Sequence, residues 1–198
     1  MDLVARAQAI ILKPKEEWLK IKGEPTPVNQ LFTSYAAILA LIPAIAQFIG
    51  YGLIGQRIPF IGFVRRGLGS ALLMAILSYV LGLAAVYVFG IVINALAPSF
   101  GSKQNLDNSM KLAVYSMTAL WLGGIFNIIP SIAFLGLLIG LYSLYILYLG
   151  FAAPMMETPK EKVVGYLVVS IVVYVVLYAI IALVLGAIFA VGRVSMNL

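Results

Sequence analysis

The chain has 198 residues, of which 63% are hydrophobic and only 10% are charged, and it contains neither cysteine nor histidine. About a quarter of the residues in a soluble domain are charged, so this composition excludes a soluble protein and predicts an integral membrane protein. The missing residue types exclude disulfides, thiol nucleophiles and imidazole acid–base chemistry, and basic residues that flank membrane spans explain the net charge of +6 better than nucleic-acid binding does.

The first segment, residues 1–30, is predicted to be a cytoplasmic amphipathic preface. Apolar residues recur at helical spacing over its first dozen positions, and Pro14 is placed to begin a second short helix. Trp18 and Ile21 form the apolar side of that helix. We expect an interfacial helix on the cytoplasmic leaflet, with Trp18 at headgroup depth and anionic lipid as the partner of the lysines. The alternative is a partly ordered tail that only carries topology charge.

The remainder, residues 31–198, predicts an all-α polytopic domain with five transmembrane helices. An apolar helix needs about 20 residues to cross the bilayer core. The expected spans are residues 31–55, 68–96, 111–128, 131–153 and 163–191. The third and fourth spans form a hairpin, because no residue between Lys111 and Glu157 is charged and Pro130 biases the residue before it away from helix.

The distribution of basic residues predicts the topology. With the N-terminus in the cytoplasm, most of the 13 lysines and arginines lie on the cytoplasmic side, as the positive-inside rule requires. Five spans then place the C-terminus outside. We expect a multi-pass protein of a prokaryotic plasma (inner) membrane.

Side chains that could carry chemistry inside the membrane are all neutral. Ionisable residues at membrane depth mark proton relays and ion paths, and past Lys111 at the first position of the third span these spans contain none. We therefore predict no catalytic residue, no cofactor and no metal site. The neutral polar side chains are expected to form hydrogen bonds between helices, and Gly136 and Gly140 form a GxxxG pair that suits close helix packing.

Tyrosines concentrate at the end of the hairpin. Tyr142, Tyr145 and Tyr148 recur every three residues on the fourth span, and Tyr115 lies near the start of the third. They form either an aromatic belt at the membrane surface or a cluster packed between helices, with hydroxyls that share a polar site with Ser116.

The loop after the hairpin carries Glu157, Lys160, Glu161 and Lys162. It is either a solvated connector or a charged cytoplasmic patch that pairs with the basic preface. Glu17 and Glu24 of the preface are the reciprocal acids in the second interpretation.

Three segments carry a resemblance to a known family. In chain order they are Pro14-x-x-Glu17-Trp18-x-x-Ile21-x-Gly23-Glu24, Ala113-Val-Tyr115-Ser116-Met-Thr118, and Tyr142-x-x-Tyr145-x-Leu-Tyr148-Leu-Gly150 followed by Pro154. Their order and spacing resemble the Yip family of Ypt/Rab-interacting membrane proteins, and especially its small prokaryotic branch. The resemblance implies five spans and a cytoplasmic N-terminus, and in eukaryotic members it implies association with lipidated Rab GTPases. This chain lacks the long cytosolic segment and the Asp-Leu-Tyr-Gly-Pro motif of those members and has Ala119 in place of a proline, which argues against a GTPase partner.

We predict a non-enzymatic membrane protein that acts through protein or lipid contacts, as a membrane organiser or trafficking-like scaffold. Its candidate partners are the lipid bilayer, a second copy of the chain and other membrane proteins. The alternative is a small channel or transporter for an ion or small solute. In that interpretation, residues that interrupt helices surround a central path; they are Pro43, Gln47, Gly123, Gly124 and Pro130.

Overall fold

The computed structural model describes residues 2–58, 60, 62–152 and 155–194, and it confirms an all-α polytopic membrane protein. Four helical stretches are long and apolar enough to cross a membrane, and they are Val28–Ile54, Leu68–Phe100, Pro130–Ala152 and Lys160–Ile188. Pro154, one of the predicted site residues, lies outside the described residues.

The N-terminal segment forms two short helices, α1 (Leu3–Leu12) and α2 (Pro14–Gly23). The carboxylate of Asp2 caps α1, because its Oδ1 accepts a hydrogen bond from the backbone N–H of Val4 at 3.0 Å. Pro14 opens α2 at the position where its missing N–H costs nothing. The chain therefore enters the bundle with both helices fixed at their first turns.

The first membrane-crossing stretch is irregular. It consists of α3 (Val28–Leu31), a π-helical turn (Phe32–Ala36), α4 (Ala37–Phe48) and a second π-helical turn (Ile49–Ile54). Pro43 lies inside α4, where it removes one backbone donor. The next loop forms a two-stranded antiparallel hairpin of β1 (Gln56–Ile58) and β2 (Gly62–Val64), in which Arg57 faces Phe63. The sequence did not predict this hairpin.

The helix α5 (Leu68–Leu96) and a 3₁₀ turn (Ala97–Phe100) follow. The predicted third span is broken into α6 (Leu106–Ser116), α7 (Thr118–Gly123) and a 3₁₀ turn (Gly124–Ile128). The first break is at Met117, whose N–H bonds to the carbonyl of Val114 at 3.1 Å and so tightens the turn. Because no single long helix covers residues 111–128, the fifth crossing stays a prediction.

The hairpin returns through a 3₁₀ turn (Pro130–Ile132), α8 (Ala133–Gly140) and α9 (Tyr142–Ala152), and the last helix is α10 (Lys160–Val194). Ile129 has an extended backbone with φ −116° and ψ 96°, which is the conformation that a following proline favours.

The core surrounds α6. Every residue from Ser109 to Ala119 is buried, and α6 packs against α5, α9 and the short α3. The helix α10, in contrast, packs on α5 and α9 and leaves most of its Val and Ile side chains exposed, as a lipid-facing helix does. The buried α6 therefore offers the surface on which the N-terminal segment is seated.

Candidate functional site at the N-terminal segment

The N-terminal segment is packed onto the bundle as part of the protein core. Ile10, Trp18 and Ile21 are all completely buried, so one face of α1 and α2 is sealed against the bundle. The Trp18 ring does not contact lipid, because protein atoms surround it on all sides, while its predicted position at headgroup depth stays a prediction. The partly ordered tail considered from the sequence is also excluded by this packing.

Trp18 is held by a specific partner on the hairpin. Its indole N–H donates a hydrogen bond to the carbonyl oxygen of Ile146 in α9 at 3.0 Å, and its ring meets the ring of Tyr115 edge-on at 6.4 Å between centroids. Gly150 makes room for it. A Cβ at Gly150 would stand 3.0 Å from Trp18 Cε2 and would collide with the Leu112 side chain.

Arg6 is a buried charge that the sequence interpretation treated only as topology charge. Its guanidinium pairs with the carboxylates of Glu17 and Glu24, and it lies over the Tyr115 ring, 5.6 Å from the centroid. Arg6 and Glu17 are 2% and 4% exposed, so both charges are removed from water, and Glu17 has a second ion pair with the exposed Lys20 at 3.3 Å. Glu17 and Glu24 were expected to pair with loop lysines, but Arg6 of their own segment takes that place.

Lys111 fixes the end of α2. Its ammonium donates hydrogen bonds to the backbone carbonyls of Ile21, at 3.3 Å, and Glu24, at 2.5 Å. These carbonyls lie at the end of α2, where the backbone has no helical partner and the helix dipole favours a cation. Lys111, the first residue of the predicted third span, is therefore buried and holds the end of α2 against α6.

Tyr115 and Thr118 are joined to Tyr35 of the first span. Thr118 Oγ1 donates to the carbonyl oxygen of Tyr115 at 2.7 Å, so it accepts from the Tyr35 hydroxyl, which is 2.8 Å away. The rings of Tyr35 and Tyr115 meet edge-on at 4.8 Å. Ser116 is not part of this group, because its buried hydroxyl has no hydrogen-bond partner among the described residues.

A polar cavity of about 320 Å³ lies beside this group. Its walls come from α1, the α2–α3 connection, the first span and α6. The lining residues are Asp2, Leu3, Arg6, Glu24, Pro25, Thr26, Gln30, Leu31, Ser34, Tyr35 and Tyr115. Arg6 Nε is buried and has no hydrogen-bond partner in the described part of the chain, so one donor of the guanidinium is left for another acceptor.

The hairpin tyrosines do not form one cluster. Tyr142 is half-buried and donates from its hydroxyl to the carbonyl of Ile11 in α1 at 2.9 Å. Tyr145 and Tyr148 are 44% and 38% exposed on the outer surface of α9, as the residues of an aromatic belt are. Tyr166 of α10 is completely buried, and its hydroxyl donates to the carbonyl of Ile93. The aromatic-belt interpretation therefore describes Tyr145 and Tyr148, and packing between helices describes Tyr142.

The charged loop does meet the N-terminal segment. Glu157 forms ion pairs with Lys103 at 3.0 Å and with Lys22 of α2 at 3.2 Å. Hydrogen bonds from Lys103 and then Lys22 hold the pKa of the Glu157 carboxyl below its ordinary value. The charged-patch interpretation thus holds for Glu157, which joins this loop both to α2 and to the loop before α6.

Gly136 and Gly140 pack inside the hairpin. A Cβ on Gly136 would collide with the carbonyl oxygen of Gly123, and one on Gly140 would stand 2.6 Å from Leu120 Cδ1. The GxxxG face therefore meets α7 rather than lipid. Pro130 is buried at the turn of the same hairpin, far along the chain from the N-terminal contacts.

Comparisons with known proteins identify relatives of this chain. The family described as Yip1 domain matches residues 9–192. The chain is 31% identical over 140 residues to the Inner membrane protein YohC of Escherichia coli strain K12, and equally to that of strain CFT073; the match covers 69% of this chain and 72% of each relative. No solved structure matches.

Proposed function

Because the chain belongs to the Yip1 domain family, we propose that it is a non-enzymatic membrane protein that works through lipid and protein contacts at the face built by its N-terminal segment. The docking of that segment onto α6 and α9 carries the proposal. One side of α1 and α2 is buried by Trp18, Arg6 and Ile10, so the other side is presented to the surroundings in a fixed orientation. A fixed surface can recognise a partner without first losing conformational entropy.

The presented side has the composition of a membrane-surface helix. Leu12 and Leu19 are 75% and 62% exposed, and the exposed lysines Lys13, Lys15 and Lys20 lie beside them in the chain. Exposed leucine next to lysine favours insertion at the headgroup level and attraction to anionic lipid, at about 1 kcal/mol per basic residue near the surface. We propose anionic phospholipid as the partner of this face, which then faces the cytoplasm, with other copies or membrane proteins binding the same assembly.

The proposal places the protein in a prokaryotic inner membrane, where the name of its relatives places them. The buried arginine supports a contact protein as well. Its ion pairs stabilise one arrangement of the N-terminal segment, and its buried Nε has no hydrogen-bond partner among the described residues. These ion pairs hold the N-terminal segment in place, and they do not resemble a set of acid and base groups around a reacting atom.

Native mass spectrometry of the full chain with bound phospholipid tests the proposal. We expect the protein to retain phosphatidylglycerol in preference to phosphatidylcholine, and the double variant Lys13→Gln, Lys15→Gln to lose about tenfold or more of that binding. The matched control is Lys160→Gln, Lys162→Gln, which removes the same charge from another exposed site. Equal losses in the two variants, or no preference for phosphatidylglycerol, would overturn the proposal.

A further inference from the structure

A second cavity, with a lining of both apolar and polar groups, lies between the membrane-crossing helices of the bundle. It has a volume of about 230 Å³ and lies between α4, α5, α10 and the broken segment that contains α7. The lining residues are Ala40, Pro43, Ala44, Gln47, Ser78, Tyr79, Gly82, Trp121, Asn127 and Tyr178. None of these lining residues carries a charge, and several of them carry hydrogen-bonding groups.

Four of the lining side chains have unused hydrogen-bonding groups. The side chains of Gln47, Ser78 and Asn127, and the indole N–H of Trp121, make no hydrogen bond to any residue in the described ranges. Trp121 is only 7% exposed. Gln47, Ser78 and Asn127 are partly exposed to the cavity. Donors and acceptors that are not used within the protein therefore converge on one cavity, where a hydrogen-bonding molecule would find partners.

Close backbone contacts build the wall that carries Asn127. A Cβ on Gly124 would stand 2.5 Å from the Cβ of Pro43, and a Cβ on Gly50 would collide with the Asn127 carbonyl oxygen. These two glycines let the 3₁₀ turn Gly124–Ile128 lie directly against α4. The broken helix thereby places the Asn127 amide side chain at the cavity, next to α4.

The cavity has a neighbour toward the β-hairpin end of the bundle. A neighbouring cavity of about 330 Å³ is lined by Gln47, Tyr51, Gln56, Arg66, Ala71 and Met74. Gln47 lines both cavities. Gln56 belongs to β1 and Arg66 follows β2, so the second cavity reaches the loop, where water and solutes are available.

We propose that the inner cavity binds a small uncharged solute that both donates and accepts hydrogen bonds, such as a short amide or a polyol. The primary amides of Gln47 and Asn127 offer both functions, Ser78 offers a hydroxyl, and Trp121 adds a donor. A charged ligand is disfavoured, because the lining offers no counter-charge and the surrounding dielectric is low. This site lies apart from the N-terminal face and does not depend on the lipid-binding proposal.

The absence of cysteine from the chain allows a direct accessibility test. Ser78→Cys places a single thiol at the cavity, and Ile76→Cys places one on the exposed side of the same helix. In proteoliposomes we expect iodoacetamide, itself a small uncharged amide, to alkylate Cys at 78 at least tenfold faster than Cys at 76. Acetamide should slow the reaction at 78 with a saturable concentration dependence.

Removing one amide separates binding from simple water access. In the Ser78→Cys background, Asn127→Leu should weaken protection by acetamide at least fivefold, and Gln47→Leu provides a second variant should the first fail to fold. Equal alkylation at 76 and 78, protection that does not saturate, or protection that survives both substitutions would overturn the proposal. Disulfide cross-linking of Cys at 78 between copies would also overturn it, since a second copy would then occupy the groove.

Discussion

The indole N–H of Trp18 and the carbonyl oxygen of Ile146 are joined by a 3.0 Å hydrogen bond that spans 128 residues of sequence. It fastens the N-terminal segment to the end of the hairpin, and Gly150 and Tyr115 complete the seat of the indole ring. The three segments that resemble the Yip family therefore meet at one packing unit. This contact gives the three segments a structural reason to occur together, before any ligand is considered.

Trp18→Phe should destabilise the protein by about 1–3 kcal/mol, because the hydrogen bond is lost and the smaller ring leaves a void. Trp121→Phe is the matched control. Trp121 is similarly buried, but its N–H has no partner among the described residues, so the cost should be smaller. Titration with sodium dodecyl sulfate in mixed micelles, followed by circular dichroism, measures both free energies of unfolding. A larger effect for Trp121 would contradict the assignment of Trp18 as the anchor.

Arg6→Met should destabilise the protein by about 3 kcal/mol, because the buried Glu17 would keep only the exposed Lys20 ammonium, 3.3 Å from its Oε2, as a counter-charge. The double variant Arg6→Met, Glu17→Met should recover much of that loss, since neither buried charge then remains. Arg57→Met, at an exposed position in β1, should change stability by less than about 0.5 kcal/mol. The same unfolding titration serves here, and a double variant as unstable as the single one would show that the ion pair is not the cause.

Gly136→Ala should disrupt the hairpin, because the added methyl group collides with a backbone oxygen that cannot rotate away. We expect a loss of about 2 kcal/mol or more. Gly186→Ala in α10 should be neutral or stabilising by up to about 1 kcal/mol, since nothing lies within 4 Å of its position and alanine favours helix. Thermal unfolding of the two variants in one detergent gives the comparison, and a shift of the same sign in both would be inconsistent with the packing described.

The membrane class and the all-α fold could be predicted because they depend on composition and on the lengths of apolar segments. The extended backbone at Ile129 was also predictable, since proline acts on its neighbour locally. The break at Met117 could not be foreseen, because the residues around it are ordinary helix formers in apolar surroundings. Only the packing of Thr118 and Tyr35 gives that turn its partners.

Only some of the residues of the candidate site could be identified from the sequence. Trp18, Tyr115 and Gly150 were found from the family resemblance, but Arg6 and Lys111 were interpreted as topology charges. Basic residues near spans usually do face lipid and water. Only the positions of the Glu17 carboxylate and the Glu24 carbonyl show that these two cations are buried partners. Charge alone does not distinguish the two situations.

The ion pairs of Glu157 should make stability depend on pH in the acidic range. The folded protein holds the pKa of this carboxyl below its ordinary value, so the stabilisation is fully present above that value, about 4.3, and is lost as the pH falls through the lower folded pKa. Glu157→Gln should therefore lower the unfolding midpoint at pH 7, and its difference from the wild type should shrink as the pH falls below that value. Glu161→Gln is the control, because Glu161 forms no ion pair with any described residue. A difference between Glu157→Gln and wild type that did not shrink with falling pH would mean that the carboxylate charge is not what joins α2 to this loop.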